Sequence, residues 1–172
     1  MMKIAFDEIV GKTRRYEIES VIWFPEELGA FIMKEPCWVS VRRHDSTTVT
    51  LKGEFAGYLQ SRCGRCGVDV EESIKSCFEY LVTDQKEERS DVQDVECADD
   101  DVNVLYLLEP EIDIDEILRE QAYLENPVRL LCSESCKGVC QGCGAQLNSE
   151  SCSCSADYSD SPFAILGKIN NK

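Results

Sequence analysis

Six cysteines fall in one short run, Cys132-x3-Cys136-x3-Cys140-x2-Cys143-x8-Cys152-x-Cys154, and another pair, Cys63-Gly-Arg-Cys66, lies far upstream. Thiolates are soft ligands, and a two-residue spacer lets both sulfurs of a tight turn face one ion, as in tetrahedral zinc sites. Cys140-Gln-Gly-Cys143-Gly144 fits that chemistry, and Cys63-Gly-Arg-Cys66-Gly67 repeats it. Gly142 and Gly144 permit the positive φ and close backbone approach of such a turn. The expected ligands are therefore Cys132, Cys136, Cys140, Cys143, Cys152 and Cys154, joined by Cys63 and Cys66. Eight thiols suffice for two zinc ions, or for one ion with spare redox-active thiols. The spacing leaves their assignment open. The remaining cysteines, Cys37, Cys77 and Cys97, read as small buried hydrophobes.

Chemistry beyond metal binding finds little support. His44 is the single histidine, in an expected turn, so a catalytic zinc site or a Ser–His or Cys–His pair is disfavoured. The chain has no Gly-x-x-x-x-Gly-Lys-Ser/Thr phosphate loop, no Gly-x-Gly-x-x-Gly fingerprint and no Gly-x-Ser-x-Gly elbow. Neither an enzyme nor a small-molecule substrate is expected.

The elements that must carry these thiols follow from periodicity. Val49, Leu51, Phe55 and Leu59 share one parity, with Gly53 and Gly57 between them, which predicts a long half-buried strand bent or bulged at its glycines. Alternation resumes from Val68 through Ile74, Phe78 and Val82, predicting an antiparallel partner with Cys63 and Cys66 at the hairpin tip. Shorter strands are expected over 16–22, 38–42 and 102–108. Asp113 with Glu116 predicts a helix start, and Asn126-Pro127 its stop. Ile114, Ile117, Leu118 and Leu124 form its apolar stripe. The fold class expected is α+β, mainly antiparallel sheet with one principal helix and a C-terminal cysteine-rich zinc module. Residues 1–127 would form the β-rich domain, with an acidic loop at 84–101. Residues 128–172 would form the zinc module and an apolar anchor at 162–166.

Of the net charge of −15, nearly all lies in 76–127, where 17 acidic residues face 3 basic ones. Such a block reads as a solvated loop and as a contact for a basic partner. No apolar run approaches the roughly 18 residues needed to cross a bilayer. The start, Met-Met-Lys-Ile-Ala-Phe, lacks signal-peptide character. A cytoplasmic location with reduced cysteines is the expectation.

Three segments together resemble the bacterial YceD family, the large ribosomal RNA subunit accumulation proteins. They are Cys63-Gly-Arg-Cys66-Gly-Val-Asp-Val70, then Glu111-Ile-Asp-Ile-Asp-Glu-Ile-Leu118 leading to Asn126-Pro127-Val-Arg-Leu, and Cys132–Cys154 with Gly144-Ala-Gln-Leu-Asn148. Ser161-Pro-Phe-Ala-Ile-Leu166 continues the third. The resemblance spans most of residues 50–170. It implies a non-enzymatic role in synthesis, processing or stability of large-subunit (23S) ribosomal RNA. The partner would be an rRNA precursor or a basic ribosomal or assembly protein. For RNA contact, the basic candidates are Arg62 and Arg65 beside the hairpin cysteines, with Arg42, Arg43 and Lys52 on neighbouring strands. A zinc-dependent redox switch or redox-regulated chaperone is the alternative, and a zinc-ribbon adaptor protein a third reading.

Overall fold

The structure, a computed structural model, describes residues 2–11, 13–85 and 103–154. In chain order it contains β1 (Lys3–Ala5), β2 (Arg14–Ile18), β3 (Ala30–Met33), β4 (Cys37–Arg43), β5 (Thr48–Arg62) and β6 (Asp69–Thr83). There follow β7 (Val104–Tyr106), β8 (Glu111–Asp113) and α1 (Ile114–Glu125). Most of the acidic segment, Cys97 and the 162–166 segment lie outside the described residues. The chain divides into two compact units. The first is Met1–Ser61 with Val70–Val128, and the second joins Arg62–Asp69 to the chain from Arg129 onward.

Strand parity organises the first unit. Along β5, Val49, Leu51, Gly53, Phe55, Gly57 and Leu59 are buried while Lys52, Tyr58 and Gln60 are exposed. Along β6, Ile74, Ser76, Phe78 and Val82 are buried while Ser73, Lys75, Cys77, Glu79 and Leu81 are exposed. Lys52 pairs with Glu79 and Gln60 with Glu71, so β5 and β6 run antiparallel, as the sequence leads one to expect. β4 pairs with β5 over Val49–Glu54, and β3 pairs with β5 over Gly57–Gln60. The strand order is β2-β4-β5-β6-β7, and β1 with β8 makes a separate two-stranded ladder. The sheet is mixed rather than purely antiparallel, because β7 lies parallel to β6.

Gly53 and Gly57 make room for rings. A Cβ at Gly53 would overlap the Phe78 ring, and one at Gly57 would lie 2.5 Å from Phe31. Trp23, Phe24, Phe31 and Phe55 form an aromatic cluster, with Phe24 stacked on Phe31 at 4.5 Å between centroids. Such packing at close quarters is tolerated only where the facing strand carries no side chain.

Helix α1 begins where expected. The Asp113 carboxylate accepts the Glu116 N–H at 3.1 Å, satisfying one of the helix's free donors. The helix ends at Asn126, before Pro127. Its buried face is Ile114, Ile117, Leu118, Gln121 and Ala122. Leu124, expected in the stripe, is 68% exposed because the 3.6-residue period carries the buried face through Gln121 and Ala122 instead. Gln121 accepts from Ser76 and donates to Tyr80, which keeps this buried amide satisfied.

Two cysteines sort by the same geometry. Cys37 is fully buried, and burial pushes its thiol up to about 12. Cys77, also expected to be buried, is exposed, because it falls on the outward parity of β6. His44 sits exposed at the β4–β5 turn, 2.6 Å from the Thr50 hydroxyl.

Candidate metal centre

The second unit brings eight thiols into two quartets. Cys63, Cys66, Cys132 and Cys136 form one; Cys140, Cys143, Cys152 and Cys154 form the other. Within each quartet the sulfurs all lie within 4.8 Å of one another. A tetrahedral ion with bonds of about 2.3 Å to four sulfurs separates them by about 3.8 Å. Within the first quartet, Cys63–Cys136 is 3.8 Å and Cys66–Cys132 is 3.5 Å. In the other quartet Cys143–Cys152 is 3.5 Å and Cys140–Cys152 is 3.2 Å. These distances are far from a disulfide bond of about 2.05 Å. A quartet of soft donors at this spacing fits a thiophilic metal ion.

Each quartet is built on a turn of the same design. In the first, the Gly67 N–H donates to the Cys63 carbonyl at 2.9 Å and the Arg65 N–H to Cys63 Sγ at 3.4 Å. In the second, the Gly144 N–H donates to the Cys140 carbonyl at 2.9 Å and the Gly142 N–H to Cys140 Sγ at 3.4 Å. Closing these turns requires positive φ just after the second cysteine, at 74° for Gly67 and 75° for Gly144. Gly142, expected to share that role, keeps an ordinary φ and lies beside the Cys154 sulfur.

The quartets are electrostatically demanding. Burial opposes ionisation of Cys63, but N–H groups of Cys132, Cys66 and Arg65 outweigh it and hold the thiol at about 5. Cys132 is raised to about 12, chiefly by the neighbouring Cys136 and Cys66 sulfurs. Cys140 is held at about 6 by the Cys143 N–H and the Cys152 thiol, while Cys154 is pushed to about 12 by Cys152, Cys143 and Cys140. Four adjacent thiols do not all ionise by themselves; a divalent cation supplies the charge that makes them thiolates together.

Side chains other than the thiols brace the first quartet. Asn148 Nδ2 donates to Cys136 Sγ at 3.3 Å, and its Oδ1 accepts the Lys137 N–H at 2.8 Å. Gln146 donates to the Cys66 carbonyl at 2.9 Å. Arg65 donates to the carbonyls of Cys136, at 2.8 Å, and Glu134, at 3.3 Å. Gln146 and Asn148 have no thiol or charge to mark them as part of a metal site in the sequence. The available signal was their place between Cys143 and Cys152, in the Gly144-Ala-Gln-Leu-Asn148 segment.

Of the basic candidates, Arg65, Arg43 and Lys52 are engaged, while Arg62 and Arg42 are exposed. Arg65 holds carbonyls, and Arg62 lies 3.7 Å from Asp69. In the first unit Arg43 donates to the carbonyls of Phe6, Asp45 and Ser46, and Lys52 pairs with Glu79 at 2.7 Å. Arg42 is exposed, opposite Thr50 on β5.

A family model described as large ribosomal RNA subunit accumulation protein YceD matches residues 51–170, which include every one of the eight clustered thiols. The chain belongs to the YceD family. Two similar proteins are each called large ribosomal RNA subunit accumulation protein YCED homolog 1, chloroplastic. The one from Arabidopsis thaliana is 32% identical over 130 residues, covering 64% of this chain and 40% of the relative. The one from Zea mays is 31% identical over 114 residues, covering 54% of this chain and 39% of the relative. This YceD chain thus matches about two-fifths of the length of those curated relatives. No solved structure matches it. The cytoplasmic location expected from the N-terminal residues is corrected here, since both relatives are chloroplastic proteins. Among the described residues, no helix is long and apolar enough to cross a membrane.

Proposed function

We propose that this YceD protein is a non-enzymatic accessory factor supporting accumulation of large-subunit ribosomal RNA, acting by docking a basic assembly protein. Zinc in both thiol quartets would hold the docking unit together. The observation that carries the choice of partner is charge. The described part of the second unit has four basic side chains, Arg62, Arg65, Arg129 and Lys137, against the acidic Asp69, Glu134 and Glu150. Each zinc with four thiolates adds two negative charges, so the loaded unit is anionic. With Arg65 turned onto carbonyls, Arg62, Arg129 and Lys137 are its exposed cations, and three such charges on an anionic unit offer little to a phosphate backbone, whose binding depends on clustered cations. The surplus of acidic residues in 76–127 points the same way.

The test has two parts. Metal content of anaerobically purified protein should be near two zinc ions per chain. Fluorescence anisotropy at about 150 mM salt, where screening beyond roughly 8 Å is already strong, should then show binding to purified basic large-subunit proteins and none to a large-subunit rRNA transcript. RNA binding that weakens steeply with salt would replace the protein partner with RNA. Absence of both, with unchanged large-subunit rRNA after depletion of the protein in its host, would remove the proposal. A redox-regulated role is the competing reading, favoured by the exposure of Cys143 and Cys154. Zinc that stays bound under mild peroxide removes it.

A further inference from the structure

The two quartets are held unequally. In the inner one Cys63, Cys66 and Cys136 are each 3% exposed, and only Cys132 is open to solvent. Its ligands come from two stretches far apart in the chain, and side chains of Arg65, Gln146 and Asn148 brace it. In the outer quartet Cys143 and Cys154 are exposed and Cys140 and Cys152 half-buried. All four of its ligands come from the single stretch Cys140–Cys154. Among the described residues, the donors from outside its thiols are backbone N–H groups, those of Gly142, Cys143 and Cys154.

The connection between the quartets lies in residues 144–151, which join the two halves of the outer one. This loop carries Gln146, bonded to the Cys66 carbonyl, and Asn148, bonded to Cys136 Sγ and 3.9 Å from Cys132 Sγ. The Leu147 N–H also donates to the Gly138 carbonyl at 3.0 Å, between the last inner ligand and the first outer one. An ion in the outer quartet closes the loop at both ends. Without it, the loop keeps its backbone bonds near Gln146, including the Leu147 N–H to the Gly138 carbonyl and the Val139–Gln146 bridge. Its far end at Cys152 is then released, and an exposed asparagine holds a sulfur poorly against water.

We propose that the outer quartet is an exchangeable site for a thiophilic d10 cation such as zinc, and that the inner quartet senses its occupancy through Asn148. This rests on the metal-binding part of the proposed function. Access sets the order of release, since a competing chelator must reach a sulfur or the ion, and it reaches Cys143 and Cys154 first. Asn148 is a positioning residue: its Nδ2 donor stabilises the Cys136 thiolate, as outer-shell donors do for metal ligands generally. By linkage, an ion that strengthens the inner site when bound outside is itself held more tightly when the inner site is full.

The experiment loads the full chain anaerobically with two equivalents of zinc and follows release to the colorimetric chelator 4-(2-pyridylazo)resorcinol. Two phases of one ion each are expected, the fast one absent in Cys152→Ser/Cys154→Ser. In that variant, and in Asn148→Asp, the slow phase should quicken by about 10–100-fold. Asn148→Asp keeps the acceptor for the Lys137 N–H but replaces the donor with a negative charge beside the sulfurs, so Asn148→Ala, which removes the donor without adding charge, should quicken the slow phase as well. Cobalt-substituted samples report the tetrathiolate spectrum of the inner quartet in each variant, separating a weakened site from a misfolded one. Outright loss of that inner spectrum in Cys152→Ser/Cys154→Ser, with Asn148→Asp still accelerated, is the same coupling at its limit. Two ions leaving in one phase, or a slow phase that none of these variants accelerates, overturns the inference while leaving zinc binding intact. A chain that takes up no metal overturns the zinc proposal, and this one with it.

Discussion

The two units of this chain solve the same problem with different chemistry. In the first, apolar side chains of two strand faces, a helix and an aromatic cluster are withdrawn from water around Val39, Leu51, Phe55 and Leu118. In the second, the described side chains that are buried are Cys63, Cys66 and Cys136. The apolar burial among the described residues of that unit is too small to offset the conformational entropy of folding them, which costs roughly 1–2 kcal/mol per residue for the backbone alone. Metal coordination by the two thiol quartets would supply what the hydrophobic effect does not. The lesson is that these two parts of one protein should respond to different insults.

The largest difference should appear on metal removal. Apparent binding free energies of about 10–16 kcal/mol are typical for structural zinc in small peptides. Chelation should therefore unfold the second unit while the first keeps its sheet. Backbone amide exchange would register this as loss of protection at Cys63, Gly67, Cys140 and Gly144 with β4 and β5 unchanged. Equal loss in both units would mean that they fold as one cooperative system.

The converse perturbation is Phe55→Ala. It deletes a ring packed against Trp23 and Phe31, at a cost of about 3–5 kcal/mol in denaturant unfolding of the first unit. Zinc content should not change. Gly53→Ala comes next, at about 1–3 kcal/mol, because its methyl meets the Phe78 ring. A neutral result would show that the ring moves aside freely. Asp113→Ala removes the helix cap and should lower stability by about 0.5–2 kcal/mol, read as a shift in urea midpoint. Smallest of all, Cys77→Ser on the outward face of β6 should stay within about 0.5 kcal/mol and leave both metal ions bound. Loss of an ion in that variant would place Cys77 among the ligands.

The sequence alone was sufficient wherever a local rule decides. Period-2 alternation assigned the faces of β5 and β6, because side chains on a pleated strand alternate without regard to what lies elsewhere. Asp113 and Pro127 bounded the helix for equally local reasons. The same parity, applied to Cys77, would have placed it outside. The Cys-x-x-Cys-Gly turns were readable too, since both sulfurs of each pair belong to one turn.

Tertiary structure alone decided everything that joins distant residues. Spacing pairs Cys63 with Cys66, but it cannot say that Cys132 and Cys136 complete their quartet while Cys152 and Cys154 complete that of Cys140 and Cys143. That choice depends on which chain segments meet in space. The parallel strand β7 depends on a long-range pairing that alternation does not encode. The basic side chains taught the same point. Arg43, Arg65 and Lys52 look available in a list of charges, yet the fold brings carbonyls to the two arginines and a carboxylate to the lysine. A side chain's type follows from the sequence, whereas its partner follows from which groups the fold brings within hydrogen-bonding distance.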